Sequence, residues 1–412
     1  MSDPTLLLPG TATAGRPATL GVMGGGQLGR MFVQAAQAMG FATAVLDPDP
    51  QSPAGLISQH HVPSAYDDPQ GLAQLAELSD AITTEFENVP APALAALAAT
   101  RPVAPASACV AIAQDRAAEK AHFQRCAAEG GVGPAPWAAI ETPEQLDSVP
   151  DALLPGILKT SRMGYDGKGQ QRVKNRAELA TAWDRLDRVP CVLERQMPLR
   201  AECSVLVARG ADGQCVSFPV QKNTHHDGIL AITEVHAGVI DPALAQRAQA
   251  STMAIAQQLG YVGVLCVEYF VVDDGRGGLD LVVNEMAPRP HNSGHYTQNA
   301  CDISQFEAQV RALAGLPLRT PVQHSPALMV NLLGDLWFEP NAQRALRSDS
   351  PVSPPWDAVL ALPGTHLHLY GKASARPGRK MGHLNITGAS VAAVRASAAQ
   401  ALALLGLPAL EG

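Results

Sequence analysis

A chain of 412 residues exceeds one comfortable hydrophobic core and predicts roughly two to four domains. Apolar residues at 46% and charged residues at 17% exclude a disordered chain, and a formal charge of −8 argues against a general nucleic-acid binder. Seven cysteines without a Cys-x-x-Cys pair indicate neither a disulfide framework nor a thiolate zinc site, and no segment has the apolar length to span a bilayer.

Residues 1–17 read as a loose lead-in. Leu6-Leu7-Leu8 is stopped by Pro9 with no basic stretch ahead of it, so no signal peptide is expected and the reducing cytoplasm is the expected compartment. From Leu20 to Pro105 short apolar runs alternate with helical stretches: a strand into Gly24-Gly25-Gly26, a helix to Gly40, a strand over Thr43–Leu46 and a later one over Ala81–Glu85. That alternation is βαβ logic and predicts a doubly wound parallel sheet ending near Asp115. A helix over Arg116–Glu129 follows, then a strand Gly156–Lys159 that opens into a glycine-rich loop. A helix with Leu244, Ala248, Ile255 and Leu259 on one stripe leads to two apolar β runs, 262–272 and 279–285, that read as a hairpin. A Pro-rich break at 317–326 opens a last unit with short strands such as 365–370 and a closing Ala/Leu helix. No internal repeat is visible. The expected domains are 18–115, 116–318 and 319–412.

Gly24-x-Gly26-x-x-Gly29 between a strand and a helix, with Asp47 ending the next strand, matches the spacing of a dinucleotide fingerprint. A turn that binds one phosphate of another ligand has the same spacing, and nothing downstream resembles hydride-transfer machinery. Lys159 to Gly169 places three glycines and two lysines where backbone amides and cations can cover a triphosphate; the rival is a solvated hairpin turn. Glu268 and Glu285 lie on the two strands of the hairpin, with Asn284 beside the second acid. Their apolar flanks make two like charges costly without a cation, so hard oxygen ligands for magnesium are expected rather than solvent-facing acids. In the segment Met286 to His295, Arg289 can fork onto a planar oxyanion with His291 and Asn292 as added donors. His291 and His295 are four apart, but Pro290 and Gly294 oppose a zinc-binding helix, so an anion loop is preferred. Lys372, Arg376, Arg379 and Lys380 among glycines look like a phosphate clamp, against the plainer reading of a basic surface turn. His225-His226 and His366-x-His368 default to structural or solvated histidines.

Together these segments closely resemble the ATP-grasp enzymes of purine biosynthesis, specifically the N5-carboxyaminoimidazole ribonucleotide synthetases, from about Leu20 to Asn385. The motifs occur in order: Gly24 to Arg30, Glu85-Phe86-Glu87-Asn88-Val89-Pro90, Gly164 to Gly169, His225 to Leu230, Asn284 to His295, and Arg376 to Asn385. The resemblance implies an N-terminal doubly wound pre-ATP-grasp domain, a central α+β ATP-grasp domain, a small C-terminal α/β domain, and a homodimer. It implies that bicarbonate is joined to 5-aminoimidazole ribonucleotide with cleavage of ATP, through carboxyphosphate, with magnesium.

By the same resemblance, Arg116, Lys159 and the loop Gly164, Tyr165, Asp166, Gly167, Lys168, Gly169 and Gln170 hold the ATP phosphates. Glu194, Arg195, Gln196 and Met197 line the adenine cleft, Glu202 meets the ribose and His225 lies at the nucleotide. Glu268 and Glu285, helped by Asn284, bind magnesium, while Arg289, His291 and Asn292 orient bicarbonate. Lys372 and Arg379 meet the substrate phosphate with the Gln27-Leu28 turn, and Glu85 is nearby. Tyr165 and Asp166 contact the substrate amine or the labile intermediate. The polar run Val220 to Thr224 is assigned no role and departs from the pattern as a strand-to-loop transition. A formate-using transformylase of glycinamide ribonucleotide, an NAD-dependent oxidoreductase and a non-catalytic nucleotide sensor are the rivals. Formate competition, NADH fluorescence and substrate-dependent ATP hydrolysis separate them.

Overall fold

A computed structural model of the chain describes residues 6–10, 12–13, 15–164 and 169–410. The N-terminal part is a four-stranded parallel sheet in the order His60–Val62, Ala42–Leu46, Thr19–Met23, Ala81–Thr84. All of Thr19–Met23 is buried, as expected of a strand covered on both faces. Its residues alternate between two cores. Leu20 and Val22 pack with Met31 and Phe32 of the helix Gln27–Ala38 and with Phe306 and Val310, whereas Met23 packs with Leu72, Leu75 and Leu94 from helices on the other face.

The lead-in is not loose where it is described. Ala12–Thr13 pairs with Arg16–Pro17, the Leu7 amide donates to Ala314 O at 2.9 Å, and Arg16 forks onto Asp80 at 2.9 Å through both terminal nitrogens. These contacts dock it on the first sheet and on the helix Gln305–Leu313.

A small antiparallel sheet follows in the order Trp137–Ile140, Cys191–Arg195, Gly156–Thr160, Gln170–Val173. The glycine-rich loop joins the last two, and Lys159 stands opposite Gln170 at its mouth. The large sheet runs Leu279–Ala287, Gly263–Asp273, Leu199–Arg209, Gln221–His226, Ile229–Val235, Ala327–Leu333, Lys380–Thr387, Thr365–Leu369, with Cys215–Ser217 paired beside Leu199–Arg209. The C-terminal strands therefore continue the central sheet edge to edge. The helix Pro242–Gln258, N-capped by Asp241, lays Leu244, Ala248 and Ile255 on it.

The polar run at 220–224 is a correction. Gln221–His226 is an interior strand, and Gln221 and Asn223 are buried because their amides bond Ser204, while Asn223 also accepts from Thr233 at 3.0 Å. Apolarity failed to mark this strand because its buried face is a satisfied hydrogen-bond network.

Candidate active site

The hairpin of Gly263–Asp273 and Leu279–Ala287 is bulged at the site. Val267 pairs with Met286 and Tyr269 with Val283, so the single residue Glu268 faces two, Asn284 and Glu285. Such a bulge re-aims side chains next to a site, and here it sets two carboxylates and an amide against one another. Burial, then the Glu285 charge, pushes the Glu268 carboxyl up to about 7. Burial acts the same way on Glu285, but the charges of Arg116 and Lys159 hold it below the usual carboxylate range. Glu285 is bonded by Arg116 at 3.0 Å, and Asn284 Oδ1 is buried without a hydrogen-bond partner among the described residues. Among the described residues no three His, Cys, Asp or Glu side chains form a metal cluster. Two mutually repelling carboxylates beside an unbonded amide oxygen nevertheless fit a hard cation whose remaining ligands come from phosphate and water.

Behind this pair lies a buried chain of alternating charge. Glu194 Oε1 is 3.1 Å from both Lys120 Nζ and Lys159 Nζ, and all three residues are buried. Burial alone would raise Glu194, yet the two ammonium groups hold it to about 2. Glu119 accepts from the Met286 amide at 2.8 Å, and burial followed by the Glu285 charge raises its carboxyl to about 8. The Glu194 side chain is spent on two lysines, which leaves its backbone for the expected adenine cleft. The neighbouring Arg195 and Gln196 are exposed, and Met197 packs on Ala135, Val272 and Val282 at the strand edge. Across the sheet His225 Nδ1 lies 3.0 Å from Glu202, and although burial disfavours its charge, Glu202, Glu268 and Glu285 raise its pKa.

Loop residues 288–295 turn over the second acid. Arg289 Nε bonds Glu87 and its Nη1 donates to Pro290 O at 3.0 Å. His291 stands with Nε2 3.2 Å from Glu268 and Nδ1 2.9 Å from Ser293 Oγ, so both ring nitrogens have neighbours within the protein. Burial first, then the Arg289 charge, keeps this ring neutral. Asn292 is different: both polar atoms of its amide are buried without a partner among the described residues. His295 is far from a zinc ligand, being buried in a stack with Phe306 and His383.

The glycine turn at the first helix is already capped. Glu85 accepts from the Gly26 and Gly29 amides at 2.7 and 2.8 Å, and Asp47 accepts from the Gly25 amide at 2.6 Å and the Tyr66 hydroxyl at 2.7 Å. Gly24 has φ +103° and an added Cβ would lie 2.5 Å from Glu85, so only glycine fits. The acid that a dinucleotide reading needs for a ribose is thus occupied, and Glu85 is a helix cap before it is a substrate contact. Leu28 is buried in the first core, leaving only its backbone for a ligand, while Gln27 is half-buried at the helix start. Lys372 donates to Lys380 O at 2.6 Å and Arg379 to Ser374 O at 2.8 Å; neither has a carboxylate within ion-pair distance among the described residues. Burial first, then Arg379, lowers Lys372 to about 8, while Glu85 raises it, which places these groups in one electrostatic neighbourhood.

The structure therefore gathers Arg116, Lys159, Glu194, Asn284, Glu285, Glu268, His291, Arg289, Glu202 and His225 into one connected cluster, with Glu85 joining it to Lys372. Gly164 touches it through its carbonyl, 3.4 Å from Arg116 Nη2, and Gly169 O accepts from the Thr160 amide. Tyr165, Asp166, Gly167 and Lys168 lie outside the described residues. Sequence reasoning missed Glu87, Glu119 and Lys120. Lys120 was within reach, since it lies four residues after Arg116 on one helix face, and Glu87 sits inside a motif of which only the first acid was used.

Residues 18–114 match the ribonucleotide synthetase preATP-grasp domain, 125–306 the ATP-grasp domain, and 327–397 the phosphoribosylaminoimidazole carboxylase C-terminal domain. The chain is 42% identical over 385 residues to the N5-carboxyaminoimidazole ribonucleotide synthase of Brucella melitensis, covering 93% of this chain and 98% of that protein. A crystal structure of an N5-carboxyaminoimidazole ribonucleotide synthetase in complex with ADP superposes with TM-score 0.83 at 35% identity, over 97% of this chain and 98% of that one. An Aspergillus clavatus N5-carboxyaminoimidazole synthase solved with ADP and 5-aminoimidazole ribonucleotide superposes with TM-score 0.81 at 28% identity, over 94% and 98%. Three domain matches in order, on a fold shared almost end to end, leave one assignment: the chain belongs to the N5-carboxyaminoimidazole ribonucleotide synthase family of ATP-grasp enzymes.

Proposed function

We propose that this chain is a ligase that carboxylates 5-aminoimidazole ribonucleotide with bicarbonate at the expense of ATP, giving N5-carboxyaminoimidazole ribonucleotide, ADP and phosphate in de novo purine synthesis. The observation that carries the reading is the bulge that sets Glu268 against Asn284 and Glu285, beside the phosphate-side cations Arg116 and Lys159.

Glu268, Glu285 and Asn284 would hold magnesium, which when bound offsets charge on the ATP phosphates. Arg116 and Lys159 hold the same phosphates from the protein side, and Glu194 fixes the Lys159 ammonium in place. The 195–197 strand edge takes the adenine, with Met197 on its apolar floor, and Glu202 with His225 takes the ribose. Arg289 and Asn292 orient bicarbonate so that its oxygen attacks the γ-phosphorus in line and ADP leaves with the bridging electron pair, forming carboxyphosphate. The exocyclic amine of the ribonucleotide then bonds the carbonyl carbon, phosphate departs with its electron pair, and the amine gives up a proton. Tyr165 and Asp166 attend that amine, and closing of the 164–169 loop keeps the intermediate from water. Lys372, Arg379 and the amides of Gln27 and Leu28 take the ribonucleotide phosphate.

The domain limits 18–115, 116–318 and 319–412 and a homodimeric assembly belong to the same proposal. So does a cytoplasmic location: all seven cysteines are unpaired, and no described helix is long and apolar enough to cross a membrane. The test is ADP release from ATP and magnesium with the ribonucleotide, with and without bicarbonate. Release that requires both, with recovery of the carboxylated ribonucleotide, is expected. Release supported by formate and glycinamide ribonucleotide instead would overturn the assignment.

A further inference from the structure

Glu87 has no part in the chemistry just described, yet it holds a group that does. It follows the strand Ala81–Thr84 in the N-terminal domain and reaches across to Arg289, which follows the bulged hairpin of the ATP-grasp part. The pair is largely sequestered, with side-chain exposures of 15% for Arg289 and 27% for Glu87. The Glu87 backbone is itself fixed: Gln114 Nε2 donates to the carbonyls of Glu87 and Val89, each at 2.7 Å. Of the guanidinium donors, Nε is taken by Glu87 and one Nη1 hydrogen by Pro290 O, while Nη2 makes no hydrogen bond among the described residues. Three residues on, the Asn292 amide is buried with both polar atoms unbonded among the described residues.

We infer that Glu87 is a positioning residue: by gripping the Nε edge of Arg289 it fixes the plane of the guanidinium, so that the Nη2 side is presented to a planar oxyanion together with the Asn292 amide. The inference rests on the bicarbonate role proposed for Arg289 and adds the residue that sets its geometry. An arginine held on one edge keeps a rigid fork for a second anion, whereas an unheld one spreads over many rotamers. Glu85, two residues earlier, caps the glycine turn, so one short segment holds both the oxyanion side and the ribonucleotide side of the cleft.

A mere cross-domain tie and a positioning role differ in what they change. Removing a tie lowers stability and scales all kinetic constants together; removing a positioner raises KM for the oriented substrate alone. The experiment measures KM for bicarbonate, KM for ATP and Tm in the unaltered chain, Glu87→Gln, Glu87→Asp, Arg289→Lys and the Glu87→Gln/Arg289→Lys double variant. The expected result is a rise in bicarbonate KM of about tenfold or more for Glu87→Gln, of the size seen when the residue supporting a ligand is removed. ATP KM should change less than about twofold, Glu87→Asp should restore part of the loss, and the double variant should lose little beyond Arg289→Lys. If Glu87→Gln does not fold, Glu87→Asp decides, with a rise of severalfold expected. An unshifted bicarbonate KM in a folded variant, or a parallel change in both constants, overturns the positioning role alone. Turnover of the unaltered chain that is indifferent to bicarbonate overturns the function and this role with it.

Discussion

Around Glu194 the cations are paired with the protein's own carboxylates. Lys120 and Lys159 share one carboxylate oxygen at 3.1 Å, Arg116 holds Glu285 at 3.0 Å, and Glu119 is satisfied by a backbone amide. Lys372 and Arg379 are held the other way: Lys372 donates to a backbone carbonyl and lies over the Tyr370 ring, Arg379 donates to a backbone carbonyl and a serine, and neither of the two has a carboxylate at ion-pair distance among the described residues. The first arrangement suits a surface that must keep its geometry while phosphates come and go. The second suits a surface whose missing negative charge is brought by the ligand. The two regions proposed to bind phosphate thus differ in whether the counter-charge belongs to the protein.

The contrast can be broken from either side. Glu285→Ala removes a proposed cation ligand and the partner of Arg116 at once, and ADP release should fall by at least about a thousandfold, a loss of about 4 kcal/mol in transition-state stabilisation. Glu194→Gln leaves two buried ammonium groups sharing a neutral amide. Breaking a buried ion pair costs about 3–5 kcal/mol, so thermal denaturation should show a large drop in Tm. An unchanged Tm would mean that the pairing carries no stability.

The open strip should respond to pH instead. Lys372 is lowered to about 8 by burial and by Arg379, so its charge is present below that value and is lost as pH rises through it. Ribonucleotide affinity, read by calorimetry, should therefore fall severalfold between pH 7 and pH 9, while ATP affinity moves little. Lys372→Gln should flatten the profile.

Much of this was legible from residues alone. The parallel sheet, the helix after Gly26, the hairpin carrying Glu268 and Glu285 and the closing helix follow from apolar periodicity and glycine placement, and each is present. Two kinds of feature were hidden. The strand Gln221–His226 carries its buried face as amides and hydroxyls, which periodicity cannot register. The pairings of Glu87 with Arg289 and of Glu194 with Lys120 join residues 202 and 74 positions apart, and only the folded topology brings them together. Motif reasoning placed Glu85 and His291 near the site, but gave no sign that Glu85 caps the Gly26 and Gly29 amides or that His291 lies against Glu268 and Ser293.

The most direct test of the contrast is a binding cycle: calorimetric titration of 5-aminoimidazole ribonucleotide and of its dephosphorylated nucleoside into the unaltered chain and Lys372→Ala. If the strip takes its counter-charge from the ligand phosphate, removing that phosphate or the lysine should each weaken binding by about tenfold or more, and removing both should cost little beyond either alone. Equal weakening of nucleotide and nucleoside by Lys372→Ala would contradict the account and place the lysine elsewhere on the substrate.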